Sequence, residues 1–85
     1  MKSFDYTIKD ELGIHARPAG LVVSEAKKFT STITIKAGEK SANATRLMAI
    51  MAMGVKNGQD ITVTAEGDDE DAAIEAMKQF FEANL

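Results

Sequence analysis

The chain has no cysteine and no tryptophan, and it has one histidine and one proline among its 85 residues. Without cysteine it forms neither a disulfide nor a cysteine metal site, and a single histidine excludes a multi-histidine metal site within one chain. No apolar run approaches the roughly 20 residues of a membrane-spanning helix, and the first six residues lack the apolar stretch of a signal peptide. The sequence therefore predicts a cytoplasmic protein without membrane insertion, metal or other cofactor.

Aromatic residues and positive charge are also scarce. Aromatic residues make up 6% of the chain, and 13 acidic residues exceed 10 basic ones, which gives a formal net charge of −3. Nucleic-acid binders usually carry a basic surface, and single-stranded RNA modules place aromatic side chains on a strand face. The composition therefore argues against a generic nucleic-acid partner. A single-stranded RNA-binding module is kept only as an alternative function of a different class.

The apolar fraction of 45% suffices for one small domain over residues 1–85. Alternating apolar residues predict strands, and apolar residues at helical spacing predict helices. The predicted order is β-α-β-β-α-β-α, with strands near 4–8, 32–36, 40–43 and 60–65, and helices over 16–28, over 47–53 and after Asp69 as N-cap. This order indicates an α+β protein in two layers, with helices covering one face of an antiparallel sheet. Periodicity alone leaves a ferredoxin-like split βαβ arrangement open.

The scarce residue types concentrate between Gly13 and Ala19. This segment contains the only histidine, the only proline and one of two arginines. Gly13 suits a turn, and Pro18 suits a first helical turn, where its missing N–H has no intrahelical partner to lose. Apolar residues at 19, 22, 23 and 26 then follow at helical spacing. His15 is therefore predicted at or just before the start of a helix.

This position favours a negatively charged ligand. A helix N-terminus offers unpaired N–H groups and a partial positive charge, and the guanidinium of Arg17 matches phosphate oxygens. Imidazole, with a free pKa of about 6.5, is a nucleophile that can attack phosphorus. The plain alternative is a histidine that serves only as a polar residue at a helix end. The convergence of these residues predicts a phosphohistidine at His15, with Ala16 and Arg17 holding the phosphoryl group, but the residues alone leave both interpretations open.

Residues 47–53 are apolar throughout. Seven apolar side chains on one short helix cannot all face a core, so several are predicted to be exposed, although a helix buried on most sides is the alternative. Methionine suits a surface that must fit several partners, and exposed apolar patches mark interaction sites. Leu21 falls outside the core stripe of the first helix. We therefore predict a docking patch formed by Ala16, Gly20, Leu21, Leu47, Met48 and Met51.

The segment Gly13-Ile14-His15-Ala16-Arg17-Pro18-Ala19 resembles the active-site signature of the HPr family, the histidine-containing phosphocarriers of the sugar phosphotransferase system. Residues 40–54 resemble the middle segment of that family, and the similarity runs the length of the chain. The resemblance implies an open-faced β-sandwich with strand order 1-4-2-3, and a carrier rather than a free-standing enzyme.

The resemblance also implies a function. Enzyme I, charged by phosphoenolpyruvate, would phosphorylate the Nδ1 atom of His15, and the phosphoryl group would pass to a sugar-specific enzyme IIA. The carrier is expected to be a monomer. The nearest alternative is a paralogous carrier of a regulatory, nitrogen-related phosphorelay, which would differ only in its partners.

Two positions depart from the family pattern. Leu12 stands where a small polar residue often precedes the glycine, and Arg46 stands where the family normally has its regulatory serine. The neighbouring Thr45 is turned by roughly 100° about a helix axis from that position. We therefore predict that this chain lacks the regulatory phosphorylation of that serine, here called the serine switch.

Overall fold

The computed structural model of the chain describes all 85 residues. Its elements are β1 (Lys2–Thr7), α1 (Ala16–Ala26), β2 (Thr32–Ala37), β3 (Lys40–Asn43), α2 (Leu47–Ala52), β4 (Asp60–Glu66) and α3 (Glu70–Asn84). The four strands form one antiparallel sheet in the order β1-β4-β2-β3, and the helices pack on one of its faces. The α+β open-faced sandwich with order 1-4-2-3 is thus confirmed. None of the three helices has the length and hydropathy that crossing a membrane requires.

The central strands β2 and β4 show why one face of the sheet is covered. Ile33 and Ile35 of β2 are buried, as are Ile61 and Val63 of β4, whereas the threonines between them lie on the other face. Ile35 pairs with Val63 in the register of the two strands. A one-residue slip would move these side chains to solvent, so their burial fixes the register.

The helices contribute apolar stripes to the same core. Ala19, Val22 and Ala26 of α1 are buried, as are Met77 and Phe81 of α3. Phe81 contacts the rings of Phe4 and Tyr6 edge-on, with centroid distances of 5.9 Å in each case. Val23, Ile74 and Phe80 lie at the edge of the core and are only half-buried.

The turn before α1 brings two loops into close contact. Gly13 has a φ of 70°, and a Cβ added there would lie 2.2 Å from the carbonyl oxygen of Val55. The next residue, Ile14, is buried and donates its N–H to that oxygen at 3.0 Å. Only glycine fits this position, because any side chain would push the two loops apart. The turn thereby fixes where α1 begins.

The end of α1 differs from the prediction, whereas α3 starts directly after Asp69, as predicted. α1 ends at Ala26 rather than near 28, because Lys27 and Lys28 form a turn whose N–H groups bond back to Val23 and Glu25. Asp69 occupies the N-cap position of α3, but its φ of −107° and ψ of 25° are not the extended angles of a side-chain cap.

The Asp69 carboxylate instead joins α3 to the loop before β2. It accepts the N–H groups of Thr30 and Ser31, each at 2.9 Å, and the hydroxyl of Ser31. The Ser31 hydroxyl, followed by the Thr30 N–H, lowers the pKa of Asp69 because these bonds favour the ionised carboxylate. Asp69 is therefore the N-cap residue of α3, as predicted, but its carboxylate binds the neighbouring loop and does not cap the helix.

We predict that Asp69→Asn lowers the free energy of unfolding at pH 7 and flattens its decline in acid. A folded-state pKa below the unfolded value gives stability that is present above the unfolded pKa and is lost as the pH falls through the folded one. Urea unfolding at pH 7 and across a series from about pH 5 to pH 2 measures both effects. The matched control is Asp68→Asn, an exposed carboxylate without hydrogen bonds. Equal unfolding curves for Asp69→Asn and the wild type would contradict this role.

Candidate functional site

His15 is the N-cap of α1, as the sequence predicts. Its backbone is extended, with φ −88° and ψ −173°, and its carbonyl oxygen accepts the N–H of Ala19 at 2.9 Å. The imidazole makes no capping hydrogen bond and is 37% exposed. The ring is therefore held at the start of the helix and remains accessible to a partner.

The first turn of α1 leaves donors beside this ring. The N–H groups of Ala16 and Arg17 donate no hydrogen bond within the chain, and Pro18 has no N–H to donate. No acidic side chain lies in the first turn. The positive end of the helix is therefore not neutralised by its own sequence, and two amides are available to an anion.

Arg17 supplies a cation at the same place. Its side chain is exposed, lines an open pocket together with His15, Pro18 and Leu21, and takes part in none of the ion pairs of the structure. A guanidinium presents planar N–H donors that match the oxygens of a phosphoryl group. The structure thus brings together His15, Ala16 and Arg17, the three residues predicted to take part in phosphoryl chemistry.

Asp10 is a member of this site that the sequence prediction missed. Its Oδ1 atom lies 3.8 Å from Nε2 of His15 and accepts the N–H of Leu12 at 2.9 Å. From the sequence, only a turn at Gly13 is predicted in this stretch. An aspartate that bonds to the N–H two residues on is typical of such turns, and that signal could have indicated where the carboxylate points. The side chain of Leu12 is exposed, and only the backbone N–H of Leu12 contacts Asp10.

The predicted docking patch lies on α1 and α2, which pack against each other. Met48 is 75% exposed, and Leu21, Leu47 and Met51 are between 38% and 45% exposed. Ile50 is the buried residue of α2, and Gly54, with a φ of 63°, follows the end of the helix. The alternative of a helix buried on most sides is therefore wrong. Ala16 is exposed and Gly20 is half-buried, so the six residues of the docking patch are open to contact in differing degrees.

The arrangement suits phosphoryl chemistry better than metal chemistry. No three side chains of the types that ligate metals come together in the structure. An accessible imidazole beside two free amides and a guanidinium can accept a phosphoryl group and stabilise its negative charge. A histidine that serves only as a polar helix end would require none of these neighbours.

Comparison with known proteins agrees with this chemistry. A family model described as "PTS HPr component phosphorylation site" matches residues 2–83. The phosphocarrier protein HPr of Mycoplasma capricolum is 49% identical over 79 residues, which cover 93% of this chain and 89% of that protein. The HPr-C-His crystal structure from Thermoanaerobacter tengcongensis is 43% identical, with a TM-score of 0.92 over 98% of this chain and 93% of that one.

A structure of an HPr dimer from the same organism is also 43% identical, with a TM-score of 0.77, and covers 98% of this chain and 95% of that one. The family match spans nearly the whole chain, and the sequence identities lie far above the level at which only a fold is shared. The chain therefore belongs to the HPr family, the phosphocarrier proteins of the phosphotransferase system.

Proposed function

We propose that the chain accepts a phosphoryl group on Nδ1 of His15 from phosphoenolpyruvate-charged enzyme I and delivers it to an enzyme IIA. The observation that carries this proposal is the pair of free amides, those of Ala16 and Arg17, next to an accessible imidazole. In each transfer the donor nitrogen–phosphorus bond breaks and a new one forms on the acceptor imidazole. No metal or other cofactor takes part in this chain.

The strength of the phosphate contacts suits a carrier. A hydrogen bond to a charged group contributes about 1.5–3 kcal/mol, so two amides and one guanidinium stabilise the phosphoryl dianion without trapping it. The dianion also lies at the positive end of α1, an 11-residue helix. Reversible transfer needs this balance, since the next partner must remove the group.

We propose that the carrier acts as a monomer in the cytoplasm, where phosphoenolpyruvate is available. One sheet and one cluster of 20 buried apolar residues within a single chain support a monomer. A related HPr that was solved as a dimer makes the oligomeric state worth measuring by light scattering. The regulatory, nitrogen-related branch would use the same site, and transfer rates to sugar-specific and regulatory enzymes IIA distinguish the two.

We predict that His15→Ala abolishes phosphorylation by enzyme I and phosphoenolpyruvate and leaves the thermal unfolding midpoint unchanged. The imidazole is accessible and makes no hydrogen bond that the fold needs. Mass spectrometry under alkaline conditions, which preserve phosphohistidine, detects the product. Phosphate on another residue of the variant would overturn the assignment of His15.

We predict that Arg17→Ala slows single-turnover transfer and changes partner affinity by less than about 1 kcal/mol, the range of an exposed ion pair. Arg17 shares the pocket of His15, whereas the docking patch is mostly apolar. Rapid-quench kinetics and calorimetry measure the two quantities. Lys78→Ala, at an exposed position of α3, controls for the lost positive charge. A large loss of affinity with normal transfer would refute this role.

We predict that Met48→Glu weakens binding of both enzyme I and enzyme IIA by about tenfold, because it places a charge in an apolar contact. Met48 is 75% exposed, so the fold should not change. NMR titration of the wild type should shift the docking patch with either partner, and the two partners should compete. The control is Ala72→Glu at an exposed position of α3. NMR shifts far from the docking patch would contradict its role in binding the partners.

We predict that an HPr kinase of the serine-modifying type with ATP leaves this chain unphosphorylated. Arg46 is the N-cap of α2, and the Thr45 hydroxyl donates to Oδ1 of Asn43 at 2.6 Å, so the hydroxyl is engaged in the preceding turn. Arg46→Ser restores a hydroxyl at the N-cap and should gain phosphorylation. Stoichiometric, acid-stable phosphate on Thr45 of the wild type, seen by mass spectrometry, would show that the switch has moved by one residue.

A further inference from the structure

The carboxylate of Asp10 has no part in the phosphate contacts described above, yet it faces the reacting ring. Its Oδ1 atom lies 3.8 Å from Nε2 of His15. The same oxygen accepts the N–H of Leu12 at 2.9 Å, and the backbone N–H of Asp10 donates to the carbonyl oxygen of Leu85 at 2.9 Å. The carboxylate is therefore fixed by the turn between β1 and α1, and it faces one particular nitrogen.

Which nitrogen carries the proton of a neutral imidazole depends on what each nitrogen faces. An ionised carboxylate only accepts hydrogen bonds, so it favours the tautomer with the proton on Nε2. At 3.8 Å the pair is longer than a direct hydrogen bond, so the carboxylate acts on the ring by its charge. The lone pair is then left on Nδ1, the ring nitrogen next to Cγ and thus closer to the backbone at the start of α1.

We propose that Asp10 is a positioning residue for His15, which holds the proton on Nε2 and stabilises the positive charge that the ring gains on phosphorylation. When the phosphorus bonds to Nδ1, the donor nitrogen–phosphorus bond breaks and the Nε2 proton stays in place. The ring of the product is formally cationic, and the carboxylate faces that charge. This role rests on the proposed function, since it concerns phosphorylation at Nδ1.

The surroundings of the ring leave Asp10 as the one carboxylate that can act in this way. No other carboxylate lies within 4.0 Å of His15, and the other charged residue of the pocket is Arg17. The Asp10 side chain is 30% exposed, so water screens part of its effect. A partly exposed pair of this kind changes a rate by about fivefold at most.

The decisive experiment compares Asp10→Asn with Glu11→Gln. Asparagine keeps an oxygen for the Leu12 N–H and removes the charge, while Glu11 is an exposed neighbour in the same loop with no hydrogen bond. Nitrogen-15 NMR of the imidazole in alkaline buffer, where the ring is neutral, measures the tautomer without any partner. Rates of phosphorylation are measured with enzyme I and with phosphoramidate, a small donor that needs no docking patch and releases ammonia.

We expect the wild type and Glu11→Gln to hold the proton mainly on Nε2. Asp10→Asn should show a smaller Nε2-protonated fraction and about fivefold slower phosphorylation by both donors, with an unchanged unfolding midpoint. Identical imidazole shifts in Asp10→Asn and the wild type would overturn the proposal. The proposal would also fail if Glu11→Gln lost as much Nε2 protonation and phosphorylation rate as Asp10→Asn. Failure of the wild type to accept phosphate from enzyme I would instead refute the proposed function, whatever its tautomer.

Discussion

The open N-terminus of α1 is the constraint on which the site depends. A helix start normally recruits a side chain or an acidic residue to its free N–H groups, and either would occupy the donors that a phosphoryl group needs. Here the N-cap is a histidine whose ring makes no cap, the first turn has no acidic residue, and Pro18 adds no competing donor. α3 shows the opposite solution, with Glu70 and Asp71 in its first turn. The N-terminus of α1 is therefore open, whereas the N-terminus of α3 is neutralised by its own acidic residues.

The rest of the fold holds this helix end in place. Ile14 and Ala19 are buried on either side of the site, and the Ile14 N–H bonds to the Val55 carbonyl. Gly13 lets that loop approach to a distance that any Cβ would prevent. Beneath them, the sheet buries Ile35 against Val63 and fixes the layer on which α1 rests. The position of the accessible His15 ring thus depends on the buried residues Ile14 and Ala19, which flank it in the sequence.

Local pattern was enough to predict the elements and the position of His15, whereas long-range contacts were not predictable from it. Alternation shows which strand face is buried but not which strand lies alongside, so the order 1-4-2-3 came from the family resemblance. The contact of Asp69 with Ser31 joins residues 38 positions apart, and no spacing rule predicts it. Asp10 lies only five residues before His15, but the folded turn decides that its carboxylate faces the ring.

The central claim is that a phosphoryl group on Nδ1 of His15 is held by the free amides of Ala16 and Arg17. Its most direct test is NMR of the phosphorylated protein labelled with nitrogen-15. The account predicts phosphorus–nitrogen coupling at Nδ1 and the largest downfield amide proton shifts at Ala16 and Arg17, because these N–H groups gain a charged acceptor. Coupling at Nε2 instead, or unchanged amide protons at both residues, would contradict it.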